Sequence, residues 1–169
     1  MWTASVILAK AAIMDGKYAQ SFPEFGPERM GAPVRAFTRI DERPISLHCN
    51  IYSPDVIVVL DPTLLGVVDV REGLRRGGIA LFNTRKSPGD LSKALRLEDF
   101  TVLTVPATDI AMKVMGRPIA NTAMLGALIK ATGAVALGSV IKATRERFPG
   151  RVGELNSEVI ERSYREVVR

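Results

Sequence analysis

The chain has 169 residues, 47% of them apolar and 24% charged, proportions that fit one globular core and exclude a disordered or disulfide-stapled protein. A single cysteine can neither close an internal disulfide nor supply the about four thiolates that an iron–sulfur cluster uses, and a single histidine leaves zinc without its usual donors. The net charge of +5 permits nucleic-acid binding, but the arginines are scattered along the chain, so a solvated surface or an acidic partner is the better account.

Reading from the start, Val6, Ile7, Ala9, Ile13 and Met14 predict a helix that Gly16 ends. Turn formers then fill Ser21 to Pro33. The alternating run from Val34 to Ile40 predicts a strand, and a second alternation from Ile45 to Ile51 predicts its hairpin partner, with Cys49 on the core side and His48 at an exposed or edge position. Neighbours on a strand point to opposite faces, so His48 and Cys49 cannot work together as base and nucleophile.

Three apolar runs follow, Asp55–Leu60, Ile79–Phe82 and Phe100–Val105, with helices expected near 64–76 and 88–96. Continuous apolar runs suit strands buried on both faces of a parallel sheet. From Thr108 on, helical segments are expected to Met115, from Ile119 to Ala131, from Leu137 to Phe148 and from Val152 to Val168, the last with Val152, Leu155, Val159, Tyr164 and Val167 on its apolar stripe. The fold class is therefore α/β: a mainly parallel twisted sheet with a β-hairpin, flanking helices and a helical C-terminal part, in one domain over 1–169.

In open α/β sheets ligands gather beyond the carboxyl ends of the strands. Those ends are Asp61-Pro62-Thr63, Asn83-Thr84-Arg85-Lys86 and Pro106-Ala107-Thr108, and each holds groups that either cap the following helix or contact an anion. Asn121 and Thr122 open an apolar helix, where free backbone N–H groups favour phosphate or carboxylate; a plain cap is the alternative. No GxSxG, Walker A or GxGxxG motif occurs, and no catalytic residue is assigned. Without an apolar run of about 20 residues or a charged leader, the chain reads as cytoplasmic, with neither membrane nor nucleic acid as a partner.

The stretch from Phe22 to Pro33 carries two glycines and three prolines that fix an irregular backbone, with Glu24, Glu28 and Arg29 as its charges. It is built to hold a shape, either as a stiff connector or as a contact surface. Continuing to Ile40, it closely resembles the signature of the gamma subunits of pyruvate and related 2-oxoacid:ferredoxin oxidoreductases. Similar text occurs at Ile7–Ala12, Asp15–Gln20, Pro54–Thr63 and Gly116–Gly126, so the resemblance runs through essentially the whole chain. Met30 stands where the family usually has a second arginine. The family also opens with a strand and a glycine-rich turn before the first helix, whereas this sequence begins at Met1-Trp2-Thr3; the expectation is that this strand and turn are missing here.

The resemblance implies a complex that converts pyruvate, coenzyme A and oxidised ferredoxin to acetyl-CoA, carbon dioxide and reduced ferredoxin. It further implies that thiamine diphosphate, magnesium and iron–sulfur clusters are held by alpha, beta and delta subunits, leaving this chain a scaffold and part of the coenzyme A path. On that reading Phe25, Gly26, Pro27, Glu28, Arg29 and Gly31 form an interface with the catalytic subunits, and Arg29, Asn121 and Thr122 contact coenzyme A. The competing expectation is a free-standing ligand-binding or regulatory module of the same fold.

Overall fold

The computed structural model describes residues 2–24 and 34–169. In chain order they form α1 (Trp2–Met14), β1 (Tyr18–Pro23), β2 (Ala36–Asp41), β3 (Val56–Val59), β4 (Ile79–Asn83), α2 (Pro88–Leu95), β5 (Thr101–Val105), α3 (Ala107–Met115), α4 (Asn121–Thr132), α5 (Leu137–Arg147) and α6 (Arg151–Glu166). Strands β3, β4 and β5 lie side by side in parallel register, Val56 opposite Ile79 and Ile79 opposite Thr101. None of the described helices is long and apolar enough to cross a membrane.

Alternation along β4 fixes the layers, because successive side chains leave the sheet on opposite faces. Leu81 joins Leu103, Val105, Ile110, Ala123, Met124 and Val159 under α3, α4 and α6, whereas Ala80 and Phe82 join Val59, Leu91, Leu97 and Val102 under α2. A third cluster lies behind the helices, where Ile7, Leu8, Ala11 and Ala12 of α1 meet Leu125, Ile129, Val140 and Ile160. Beyond α1 sits the β1–β2 ribbon, whose Ala19 and Ile40 rest on that cluster.

Helix α1 ends as expected: Gly16 takes a φ of 78°, where a side chain would be strained. Its apolar residues are not all core, since Val6 and Ile13 are exposed. Helix α4 is buried almost all round, as an apolar circumference requires.

Four expectations need correction. The partner of β2 is β1, paired from Tyr18 opposite Asp41 to Pro23 opposite Ala36, and residues 45–51 form no strand. The carboxylate of Asp41 accepts the Arg43 N–H at 2.9 Å and Pro44 follows, so the chain turns away before a ladder can start. Segment 45–50 is instead pinned across the outer face of the ribbon, where Gln20 Nε2 donates to the Ile45 carbonyl at 3.3 Å and Arg39 Nη2 donates to the carbonyls of Cys49 and Asn50 at 2.6 and 3.2 Å. Cys49 is consequently exposed and not core, and His48 is exposed as well.

The helix expected near 64–76 is a single 3₁₀ turn over Pro62–Leu64 followed by turns. Asp69 accepts the Arg71 N–H at 3.0 Å, an alternative to helical bonding, and Gly73 has a φ of 77°. In α6 the buried face is Gly153, Asn156, Ser157, Val159, Ile160 and Ser163, while Val152 of the expected stripe is exposed. Small residues win this face because α4 approaches closely: a Cβ on Gly126 would lie on the Ile160 carbonyl oxygen. The hydroxyls of Ser157 and Ser163 are satisfied inside the helix, each donating at 2.8 Å to the carbonyl four residues earlier.

Candidate functional site

The carboxyl ends of β3 and β4 are joined to α3 by one side chain. Asn83, only 5% exposed, donates from Nδ2 to the Leu60 carbonyl at 2.8 Å and to Thr108 Oγ1 at 2.7 Å. Its Oδ1 accepts the Thr108 N–H at 3.1 Å. Helix α3 has no side-chain cap of its own, so a strand residue 25 positions earlier supplies it. Two of the strand-end groups are thereby committed to structure. Asp61 caps locally too, accepting from the N–H and hydroxyl of Thr63 at 2.9 and 2.7 Å, and these bonds hold its carboxyl below the usual range. The cap of α2 is Ser87, whose Oγ accepts the Asp90 N–H at 3.1 Å.

A cleft of about 390 Å³ opens beside these groups, between Leu60–Pro62, Asn83, Thr108 and the turn Pro118–Asn121. It brings Asn121 to the strand ends, two places that the sequence reading named separately. Thr122 turns inward; it is 2% exposed, and its hydroxyl donates to Asn156 Oδ1 at 2.8 Å, so its side chain ties α4 to α6. What Thr122 can offer a ligand is its backbone N–H in the first turn of α4, where no acidic residue stands.

A larger cleft, about 600 Å³, lies on the other side of β4. Its walls are the turn Thr84–Pro88, Thr104 and Pro106 of the β5 end, and the tail Arg165–Val168. Val168 and Thr104 exchange backbone hydrogen bonds at 2.9 Å each way, which holds the tail against the sheet edge. Arg85 pairs with both carboxylate oxygens of Asp109, one at 2.7 Å, and this lowers the carboxyl pKa of Asp109. Sequence reasoning marked Arg85 and Lys86 but not Arg165, which comes from 79 residues further on and has no local signal.

Residues Phe25, Gly26, Pro27, Glu28, Arg29 and Gly31 lie outside the described residues. Their neighbours are placed, however. Glu24 donates its N–H to the Arg35 carbonyl at 3.0 Å, which closes the ribbon where that stretch leaves and returns. Phe22 and Phe37 stack at 5.5 Å between centroids, and the Arg39 guanidinium sits 5.5 Å over Phe22. Glu24 also accepts from Asn50 Nδ2 at 3.5 Å and lies 3.7 Å from Arg35. Among the described residues no group of three or more His, Cys, Asp or Glu could hold a metal ion.

Comparison with known proteins gives these features a context. The chain is 51% identical over 166 residues to the pyruvate/ketoisovalerate oxidoreductases common subunit gamma of Thermococcus kodakarensis, covering 98% of this chain and 90% of that protein. It is 49% identical over 165 residues to the pyruvate synthase subunit PorC of Methanothermobacter thermautotrophicus, covering 98% and 88%. Among solved structures, the pyruvate oxidoreductase subunit PORC of Thermotoga maritima matches with a TM-score of 0.84 at 40% identity, over 99% of this chain and 89% of that one. The gamma subunit of a keto/oxoacid ferredoxin oxidoreductase from Geobacter sulfurreducens matches with a TM-score of 0.78 at 26% identity, over 98% and 90%. With residues 1–166 matching the family throughout, the chain belongs to the pyruvate ferredoxin/flavodoxin oxidoreductase family.

Proposed function

We propose that this chain is the gamma subunit of a pyruvate-type 2-oxoacid:ferredoxin oxidoreductase, a cytoplasmic complex that converts pyruvate, coenzyme A and oxidised ferredoxin to acetyl-CoA, carbon dioxide and reduced ferredoxin. The observation that carries this reading is about half identity over nearly the whole chain to subunits named for pyruvate synthase and pyruvate/ketoisovalerate oxidoreductases. The chain acts as one domain. Alpha, beta and delta subunits are its partners, and they hold the thiamine diphosphate, magnesium and iron–sulfur clusters.

The residues of this chain do not fit a cluster: its one cysteine is exposed on an irregular segment, and the usual set is about four thiolates. Its contribution is therefore shape and charge. In this reading Phe25 to Gly31 meet the catalytic subunits, and Arg29, Asn121 and the first-turn N–H of Thr122 attract the phosphates of coenzyme A.

Native mass spectrometry of the complex purified through a tag on this chain tests the assignment. The expected result is co-purification with subunits that carry thiamine diphosphate and clusters, in a preparation that reduces ferredoxin with pyruvate, whereas the isolated chain is colourless and inactive. Recovery of the chain alone, with full activity in preparations that lack it, would overturn the reading and favour a free-standing module. Within an intact complex, Arg29→Ala should raise the KM for coenzyme A several-fold; unchanged coenzyme A kinetics would remove Arg29 from the path.

A further inference from the structure

The alternation of Ile45, Leu47, Cys49 and Ile51 is a pattern that the fold leaves unused. An alternating apolar set serves to cover a layer, yet Leu47 is 59% exposed, Cys49 is exposed, and Tyr52 just beyond is 76% exposed. Apolar residues exposed singly are ordinary, but these share one segment, and that segment is held in place. On the outer face of the β1–β2 ribbon, Phe22 stacks on Phe37 and the Arg39 guanidinium lies over Phe22. The same guanidinium donates to the carbonyls of Cys49 and Asn50, and Gln20 Nε2 donates to that of Ile45. Leu47 stands in solvent between these ties. At the far end, a Cβ on Gly73 would lie on the Tyr52 carbonyl oxygen, so the loop between β3 and β4 backs the chain there. Side chains presented on a fixed backbone lose little freedom when a partner covers them.

The face also has a position. Asn50 Nδ2 donates to Glu24 Oε1 at 3.5 Å, and Glu24 closes the ribbon against Arg35, so the segment adjoins the end of the ribbon where residues 25–33 leave and return. Val34, 65% exposed, stands at that end. We propose that Val34, Leu47 and Tyr52, with Cys49 among them, form a docking face for a catalytic subunit of the oxidoreductase complex, whose apolar surface supplies the layer that this chain lacks. The inference rests on the proposed reading of the chain as a gamma subunit, and it adds to that reading a contact surface made of described residues.

The test uses Cys49, the one cysteine of the chain, as its probe. Alkylation by N-ethylmaleimide is timed in the isolated chain and in the complex purified through a tag on this chain, the peptide that carries Cys49 being read by mass spectrometry. Cys49 should react freely in the isolated chain and at least about tenfold more slowly in the complex, because alkylation requires access to the thiol. The double variant Leu47→Ser/Tyr52→Ser should keep the wild-type melting curve of the isolated chain, both side chains being exposed. It should nevertheless weaken the hold on the catalytic subunits at least about tenfold. Val152→Ser, which removes a comparably exposed apolar side chain from α6, should leave co-purification unchanged. Catalytic subunits that co-purify while Cys49 still reacts at its free rate, or that hold the double variant as tightly as the wild type, would overturn the docking face and leave the subunit assignment standing. Recovery of the wild-type chain without any sister subunit would remove the assignment and the docking face together. Alkylation of the isolated chain that slows as its concentration rises would give the face to a second copy and overturn the proposal.

Discussion

Single side chains that reach across the chain do much of the positioning here, and Asp15 is the first. It lies just past α1, yet its carboxylate accepts the Ala136 N–H at 2.6 Å and the hydroxyl of Ser139, so it caps α5 from 121 residues away. Ala136, the N-cap residue of α5, has no oxygen to do this itself. Asp15→Ala should therefore cost about 1–2 kcal/mol, read as a fall of roughly 2–4 °C per kcal/mol in the melting temperature, and Asp15→Asn should recover part of it. An unchanged melting curve for Asp15→Ala would mean that water replaces the cap. Asn83 is more exacting, because it is buried and serves two acceptors and one donor at once. Asn83→Ala leaves the Thr108 N–H and the Leu60 carbonyl without their partner and should cost about 1–3 kcal/mol; Asn83→Asp should do no better, because a carboxylate cannot donate to Leu60. Asp69 offers a charge-based counterpart. Hydrogen bonds from the Arg71 side chain and then its backbone lower its pKa from 3.8 to about 2. The folded value lies below the unfolded one, so this contribution is present above about 3.8 and is lost as pH falls towards about 2. Carboxyl titration by NMR should show Asp69 moving back towards its ordinary value in Arg71→Ala.

At the scale of elements, sequence patterns revealed what depends on neighbours a few residues away and missed what depends on contacts across the fold. The three parallel strands were legible because a strand covered on both faces must be apolar throughout, and β4 supplies one layer with Leu81 and the other with Ala80 and Phe82. Strand β1 was not legible: Tyr18–Pro23 is polar and interrupted, and it becomes a strand only because β2 pairs with it while α1 lies beneath. The alternation at 45–51 misled for the converse reason, since Leu47 and Cys49 find no layer to cover them. In the site, Asn121 and the strand-end residues were readable from helix and strand boundaries, whereas the inward turn of Thr122 and the arrival of Arg165 depend on where α6 packs. That packing makes its own prediction. At the α4–α6 crossing a Cβ on Gly126 would meet the backbone of Ile160, its carbonyl carbon at 2.9 Å as well as its oxygen, and a backbone cannot rotate out of the way as a side chain can. Gly126→Ala gains helix propensity of about 1 kcal/mol yet should destabilise overall by about 1–3 kcal/mol, measured by denaturant unfolding. A net stabilisation would show that the crossing opens at little cost.

For the whole molecule, the question is whether the sheet and the helices behind it melt as one body. Two helices are shared between layers. Helix α4 gives Ala123, Met124 and Ala127 to the cluster against the sheet and Leu125 and Ile129 to the cluster against α1, and α6 gives Val159 to the first and Ile160 to the second. Neither cluster can lose its packing without exposing a helix that the other needs, so their burial energies are coupled. The remaining cluster, under α2, shares β4 with the cluster against the sheet and is bound to the rest through the sheet. One cooperative transition is the expected behaviour. Two truncations from opposite ends of this arrangement test it. Phe82→Ala empties the cluster under α2 and Leu8→Ala the cluster against α1, and substitutions of these kinds cost about 3–5 and about 2–5 kcal/mol respectively. Each should lower the hydrogen-exchange protection of the most slowly exchanging amides in β4 and in α5 by the same amount, although each touches only one of the two regions. Protection that falls in β4 but holds in α5 for Phe82→Ala, or the reverse for Leu8→Ala, would mean that α4 and α6 join two units that open separately.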